Sequence, residues 1–121
     1  MRFDVTESDT ASALGSGDVP VLATPRLIAW MEAATVQSAA TVLMTSQTTV
    51  GTAVRIEHRR ATGVGGWVEV TAELSATAGD RLVFTLRAVD GSGKLVASGE
   101  VDRAIVDREE FLRKVPGSKT E

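Results

Sequence analysis

The chain has 121 residues, a formal net charge of −3, 43% hydrophobic residues, one histidine and no cysteine. Disulfides, thiolate catalysis, cysteine-bound zinc and a multi-histidine metal centre within one chain are therefore excluded. The acidic balance argues against a nucleic-acid binder, and no run of about 18 apolar residues suggests a membrane span.

The opening MRFDVTESDTASALG lacks the apolar core of a signal peptide, so a cytoplasmic single domain over residues 1–121 is expected. Residues 1–17 read as an N-terminal strand, within 2–7, followed by a loop rich in small residues. The segment 24–44 reads as the one long helix, with Thr24 suited to cap it and Pro25 suited to its first turn. Leu27, Ile28, Met31, Ala34 and Val42 share one stripe at helical spacing. From residue 49 to 107 the period changes to two, in four strands separated by GVGG, TAGD and DGSG. A short helix follows in DREEFLRKV, and 116–121 should be a frayed tail. Hairpin-linked strands with a single long helix predict an α+β fold, with an antiparallel sheet covering the helix. Its edge strand is a natural place for dimerisation, which adds burial that a chain this short lacks.

Several polar residues fall where the pattern calls for apolar ones. In GTAVRIEHRRAT, strand alternation puts His58 in the row Thr52, Val54, Ile56, with Ala53, Arg55, Glu57 and Arg59 on the other face. A histidine there is either a satisfied structural residue or an acid–base group. Glu32 lies at the edge of the helix stripe, where a carboxylate needs a partner or a route to solvent. Arg103 continues the apolar row of Leu95, Ala97, Gly99 and Val101, so it needs an anion: Glu32, an aspartate or a ligand phosphate. Thr24 is explained by capping, yet a helix start also offers N–H groups to a developing oxyanion. A hydroxyl, a carboxylate and an imidazole are the parts of an acyl-transfer site.

LATPRLIAWMEAAT, VGTAVRIEHRRAT and VEVTAEL together resemble the hotdog-fold thioesterases, and more narrowly the fluoroacetyl-CoA thioesterase-like family, over residues 18 to 114. The resemblance implies a sheet wrapped around a central helix, a homodimer or a higher hotdog oligomer, and sites at subunit boundaries. It implies hydrolysis of a small or medium acyl-CoA thioester, with coenzyme A as part of the substrate and no other cofactor or metal. The family's threonine, glutamate and histidine fall on Thr24, Glu32 and His58 as catalytic residues. The glycine beside the acyl thioester falls on Gly51, and the arginine near the end of the last strand on Arg103. Arg55, Arg59, Arg60 and Arg87 are candidates for the phosphates of CoA on charge alone. In this sequence GSGDVPVL has no aromatic residue where the family's fluoroacetate-specific enzyme has a gate, and Asp18 stands near that position. That departure implies another acyl group. The rival reading is a non-catalytic acyl-CoA-binding hotdog protein. A hydratase is disfavoured, because no Asp-x-x-x-x-His occurs and the histidine lies on a strand.

Overall fold

In the computed structural model, which describes residues 1–117, a five-stranded antiparallel sheet curls around one long helix. The elements are β1 (Arg2–Asp4), α1 (Ala11–Leu14), α2 (Thr24–Ala39), β2 (Gln47–His58), β3 (Trp67–Ala78), β4 (Arg81–Asp90), β5 (Leu95–Asp107) and α3 (Arg108–Arg113). The strand order is β1-β3-β4-β5-β2, so β1 and β2 form the two edges. Among the described residues, no helix is long and apolar enough to cross a membrane.

Helix α2 is shorter than the expected 24–44. It ends at Ala39 and passes into a 3-10 turn over Ala40–Val42, which leaves Val42 48% exposed. The predicted stripe buries Leu27, Met31 and Ala34 against the sheet, joined by Thr35, while Ile28 is only partly covered. The Thr35 hydroxyl donates to the Glu32 carbonyl oxygen at 2.6 Å, which satisfies a polar group inside the core. The N-terminal segment is more structured than a strand and loop. Its strand stops at Asp4, and a 3-10 turn at Glu7–Asp9 leads into α1. Phe3 stacks on Trp30 with ring centroids 4.8 Å apart, which pins β1 against α2. Of the expected tail, residues 118–121 lie outside the described residues.

Alternation in β3 and β4 sends Val68, Val70, Leu82, Phe84 and Leu86 into the core, where none is more than 2% exposed. Their partly buried neighbours Ala72 and Leu74 continue the same face. Ala78 pairs with Arg81, so Gly79 and Asp80 make a two-residue hairpin loop. Gly79 has φ +61, the left-handed conformation such loops require. The β4–β5 turn is organised by Asp90, whose carboxylate accepts from the Ser92 and Lys94 N–H groups and from the Ser92 hydroxyl.

Three bulges interrupt the ladders, between Gly51 and Ala53, between Leu74 and Ala76, and opposite the Ala88–Val89 step. The last leaves Val96 unpaired on β5. Val96 and Ala97 are both buried and Leu95 is 37% exposed, whereas strict alternation sets Leu95 and Ala97 on one face. The first bulge shapes the site. Counting back from His58 by twos puts Thr52 inside, but the extra residue at Thr52 reverses the phase. Thr49 and Gly51 therefore share the helix-facing side with Arg103, which pairs directly with Gly51.

Candidate active site

The start of α2 differs from expectation. Ala23, with φ −71 and ψ 138, occupies the capping position, and Thr24 is the first helical residue, followed by Pro25. Alanine has no side-chain oxygen to cap with, so the first turn keeps free N–H groups. The Thr24 hydroxyl makes no capping bond and meets His58 Nδ1 at 2.8 Å instead. With Thr24 donating, His58 Nδ1 is the acceptor and Nε2 carries the proton. Nε2 is buried and has no hydrogen-bond partner among the described residues. Burial pushes the imidazole below its ordinary pKa, with the Arg60 backbone opposing the shift, so the neutral base is favoured.

Thr24 and His58 lie in an open cleft of about 320 Å³. Ser16, Gly17 and Val19 of the loop after α1 also line it, and no phenylalanine, tyrosine or tryptophan does. Arg59 and Arg60 border the same cleft. Arg59 pairs with Glu57, and Arg60 Nε donates to Asp90 Oδ2 at 2.7 Å. Asp90 is held well below the usual carboxylate range, by the Ser92 hydroxyl first and Arg60 second.

Arg55 is not brought to the cleft. It lies on the other face of β2, where its guanidinium bonds to Glu100 at 2.9 Å and to Asp102 at 2.7 Å. Arg81 reaches the same Asp102 at 2.9 Å, and the two arginines cover the aspartate side chain to 3% exposure. Arg55 and then Arg81 lower the Asp102 pKa, which keeps that carboxylate ionised. Arg87 also stands away from the cleft, beside Thr71, Glu73 and Thr85.

Glu32, Gly51 and Arg103 form a second cluster. A methyl group placed on Gly51 would stand 2.6 Å from Glu32 Oε2, so the carboxylate sits directly over this glycine. Arg103 Nη1 lies 3.6 Å from the same oxygen, which settles which anion the buried arginine faces. Its Nε donates to Thr49 Oγ1 at 2.8 Å and its Nη2 to the Thr49 carbonyl oxygen at 3.2 Å. Burial lowers the Arg103 pKa, with the charge of Glu32 opposing.

Within one chain the two clusters stay apart: no hydrogen bond or ion pair among the described residues joins Glu32 to His58. Thr24 and Glu32 are eight residues apart on α2, about 12 Å along the axis. Gly51 and His58 are seven residues apart on β2, about 23 Å along an extended strand. Thr49 and Asp102 were not anticipated as partners of the site arginines. The signal for Thr49 is its spacing of two from Gly51, which carries meaning only once the bulge is known.

A long helix wrapped by a curled antiparallel sheet is the architecture of hotdog-fold thioesterases, and the chain is a thioester hydrolase of that fold. It belongs to the fluoroacetyl-CoA-specific thioesterase family, whose model matches residues 5–109. It is 38% identical to the fluoroacetyl-CoA thioesterase of Streptantibioticus cattleyicolor over 95 residues, 78% of this chain and 68% of that one. The solved structure of the fluoroacetyl-CoA thioesterase FlK superposes with a TM-score of 0.85 at 32% identity, over 96% of this chain and 93% of that one. A thioesterase superfamily member from Thermus thermophilus superposes with a TM-score of 0.85 at 25% identity, over 92% and 82% of the two chains.

Proposed function

We propose that the protein hydrolyses acyl-CoA thioesters with Thr24 as nucleophile and His58 as its base. The observation that carries this reading is the 2.8 Å bond from a threonine hydroxyl free of capping to the single imidazole of the chain. As Thr24 Oγ1 bonds to the thioester carbonyl carbon, its proton passes to His58 Nδ1. The carbon–sulfur bond breaks, and the CoA thiolate takes that proton from the imidazolium. Water then attacks the acyl-threonine with His58 again as base, which releases the acid and restores the hydroxyl. The uncapped N–H groups at the start of α2 suit the oxyanion of each tetrahedral intermediate. Arg59 and Arg60, at the mouth of the cleft, suit the phosphates of CoA. A cleft without an aromatic wall suits a small or medium acyl group other than fluoroacetyl.

Glu32 joins the site through a homodimer. Strand β2 is a sheet edge, and Val54 at its middle is 38% exposed. Antiparallel pairing of β2 with its copy, centred between Val54 and Arg55, sets His58 opposite the partner's Gly51. The partner's Glu32 then approaches the unpaired, buried Nε2 of His58.

The test is thiol release across short, branched, aromatic and long acyl-CoAs, with Thr24→Ala, His58→Ala and Glu32→Ala beside the wild type. Losses of about a hundredfold or more are expected for the three variants. Coexpressed His58→Ala and Glu32→Ala chains should regain turnover, because a mixed dimer holds one intact composite site. No recovery would mean that each site lies within one chain. Binding of CoA without turnover on any substrate would favour the non-catalytic reading.

A further inference from the structure

Arg103 is a buried cation whose guanidinium is held by one residue. Nε and Nη2 both bond to Thr49, through its hydroxyl and its carbonyl oxygen, and Nη1 is left facing Glu32 Oε2 at 3.6 Å. A planar guanidinium fixed through two of its nitrogens cannot rotate freely, so the direction of the third is set. Thr49 is itself 9% exposed and pairs with Ile105 in the β2–β5 ladder, so the anchor belongs to packed strand backbone. The Glu32 carboxylate and Arg103 Nη1 both lie against the bare Cα of Gly51, with the carboxylate the closer of the two.

We propose that Thr49 is a positioning residue of the active site, acting through Arg103 to fix where the Glu32 carboxylate points. The inference rests on the reading of Glu32 as a member of that site. Without the hydroxyl, the buried Nε–H group loses its acceptor and only the bond from Nη2 to the main-chain carbonyl oxygen of residue 49 remains. A guanidinium held at one nitrogen can turn, so the direction of Nη1, and with it the position of the Glu32 carboxylate, is no longer fixed.

The experiment compares Thr49→Val, Thr49→Ser and Glu32→Gln in steady-state thiol release, with thermal unfolding of each. Thr49→Val should lower kcat about tenfold, the scale of one hydrogen bond to a charged group. KM should stay within about twofold, because Thr49 does not border the cleft where substrate enters. Thr49→Ser keeps the acceptor oxygen and should restore kcat, which a simple loss of packing would not allow. If the valine variant does not fold, Thr49→Ala takes its place with the same expected pattern. Wild-type kcat in Thr49→Val, alongside an inactive Glu32→Gln, overturns the inference and leaves the role of Glu32 standing. Full activity in Glu32→Gln overturns the role of Glu32 first, and the inference with it.

Discussion

Replacing Gly51 by alanine should separate activity from stability. The added methyl stands 2.6 Å from Glu32 Oε2 and 3.3 Å from Arg103 Nη1, against ordinary contacts that begin at 3.4 Å. The carboxylate must retreat by about 0.8 Å, and as the far end of a flexible side chain it can do so. An off-rotamer glutamate costs about 0.5–1.5 kcal/mol. Alanine in place of glycine offsets about 0.4–1 kcal/mol of that by restricting the unfolded chain, since Gly51 has no positive φ. The two nearly cancel, so stability should change by less than about 1 kcal/mol, or about 4 °C in Tm for a chain of this length. Activity should respond differently, because a displacement near 1 Å in a positioned group can lower the rate about a hundredfold. Thiol release and a thermal melt on the same preparation read both quantities. Wild-type turnover in Gly51→Ala would refute the claim that Glu32 must sit over this glycine. A fall in Tm beyond about 10 °C would refute the claim that the carboxylate is free to yield.

The arginines should divide by position. Arg60→Ala, at the cleft, should raise KM for acyl-CoA about tenfold through a lost phosphate contact, whereas Arg87→Ala, away from the cleft, should leave KM within about twofold. Equal effects in steady-state assays would remove Arg60 from the CoA site. Because burial lowers the His58 pKa, the acidic limb of kcat/KM should fall below 6.5, the ordinary histidine value. In a pH–rate profile, a limb above 6.5 that drops below it in Glu32→Gln would mean that the carboxylate at Nε2 outweighs burial, and a limb above 6.5 in both proteins would mean that His58 is not the base. Stability carries the same sign: as pH drops below 6.5, the unfolded chain takes up a proton before the native one does. Native stability should therefore decline until the native pKa is passed, with no such slope above 6.5. Denaturant titrations at several pH values should show that slope in the wild type and lose it in His58→Gln.

Much of the architecture was legible in the one-dimensional pattern. Helical spacing of Leu27, Met31 and Ala34 marked the buried face of α2, and alternation in VEVTAEL and RLVFTLRAV marked the inner faces of β3 and β4. Glycine and aspartate at 79–80 marked a tight turn between them. These are local properties, since a side chain's direction along a regular element follows from its period. The same logic exposed Glu32, His58 and Arg103 as polar residues on apolar faces, and the resemblance to one family joined them to Thr24 and Gly51.

Tertiary structure decided how those residues meet. Capping preference assigned the Thr24 hydroxyl to the helix, and only the position of Ala23 released it to His58. One extra residue at Thr52 reversed the phase of β2 and brought Thr49 and Gly51 onto the face of Arg103. Arg55 looked like a neighbour of the histidine until strand pairing set it among Glu100, Asp102 and Arg81. Periodicity says which way a side chain points, but the group it meets depends on register across strands distant in sequence. That register is set by bulges and packing, which hydrophobic alternation does not encode.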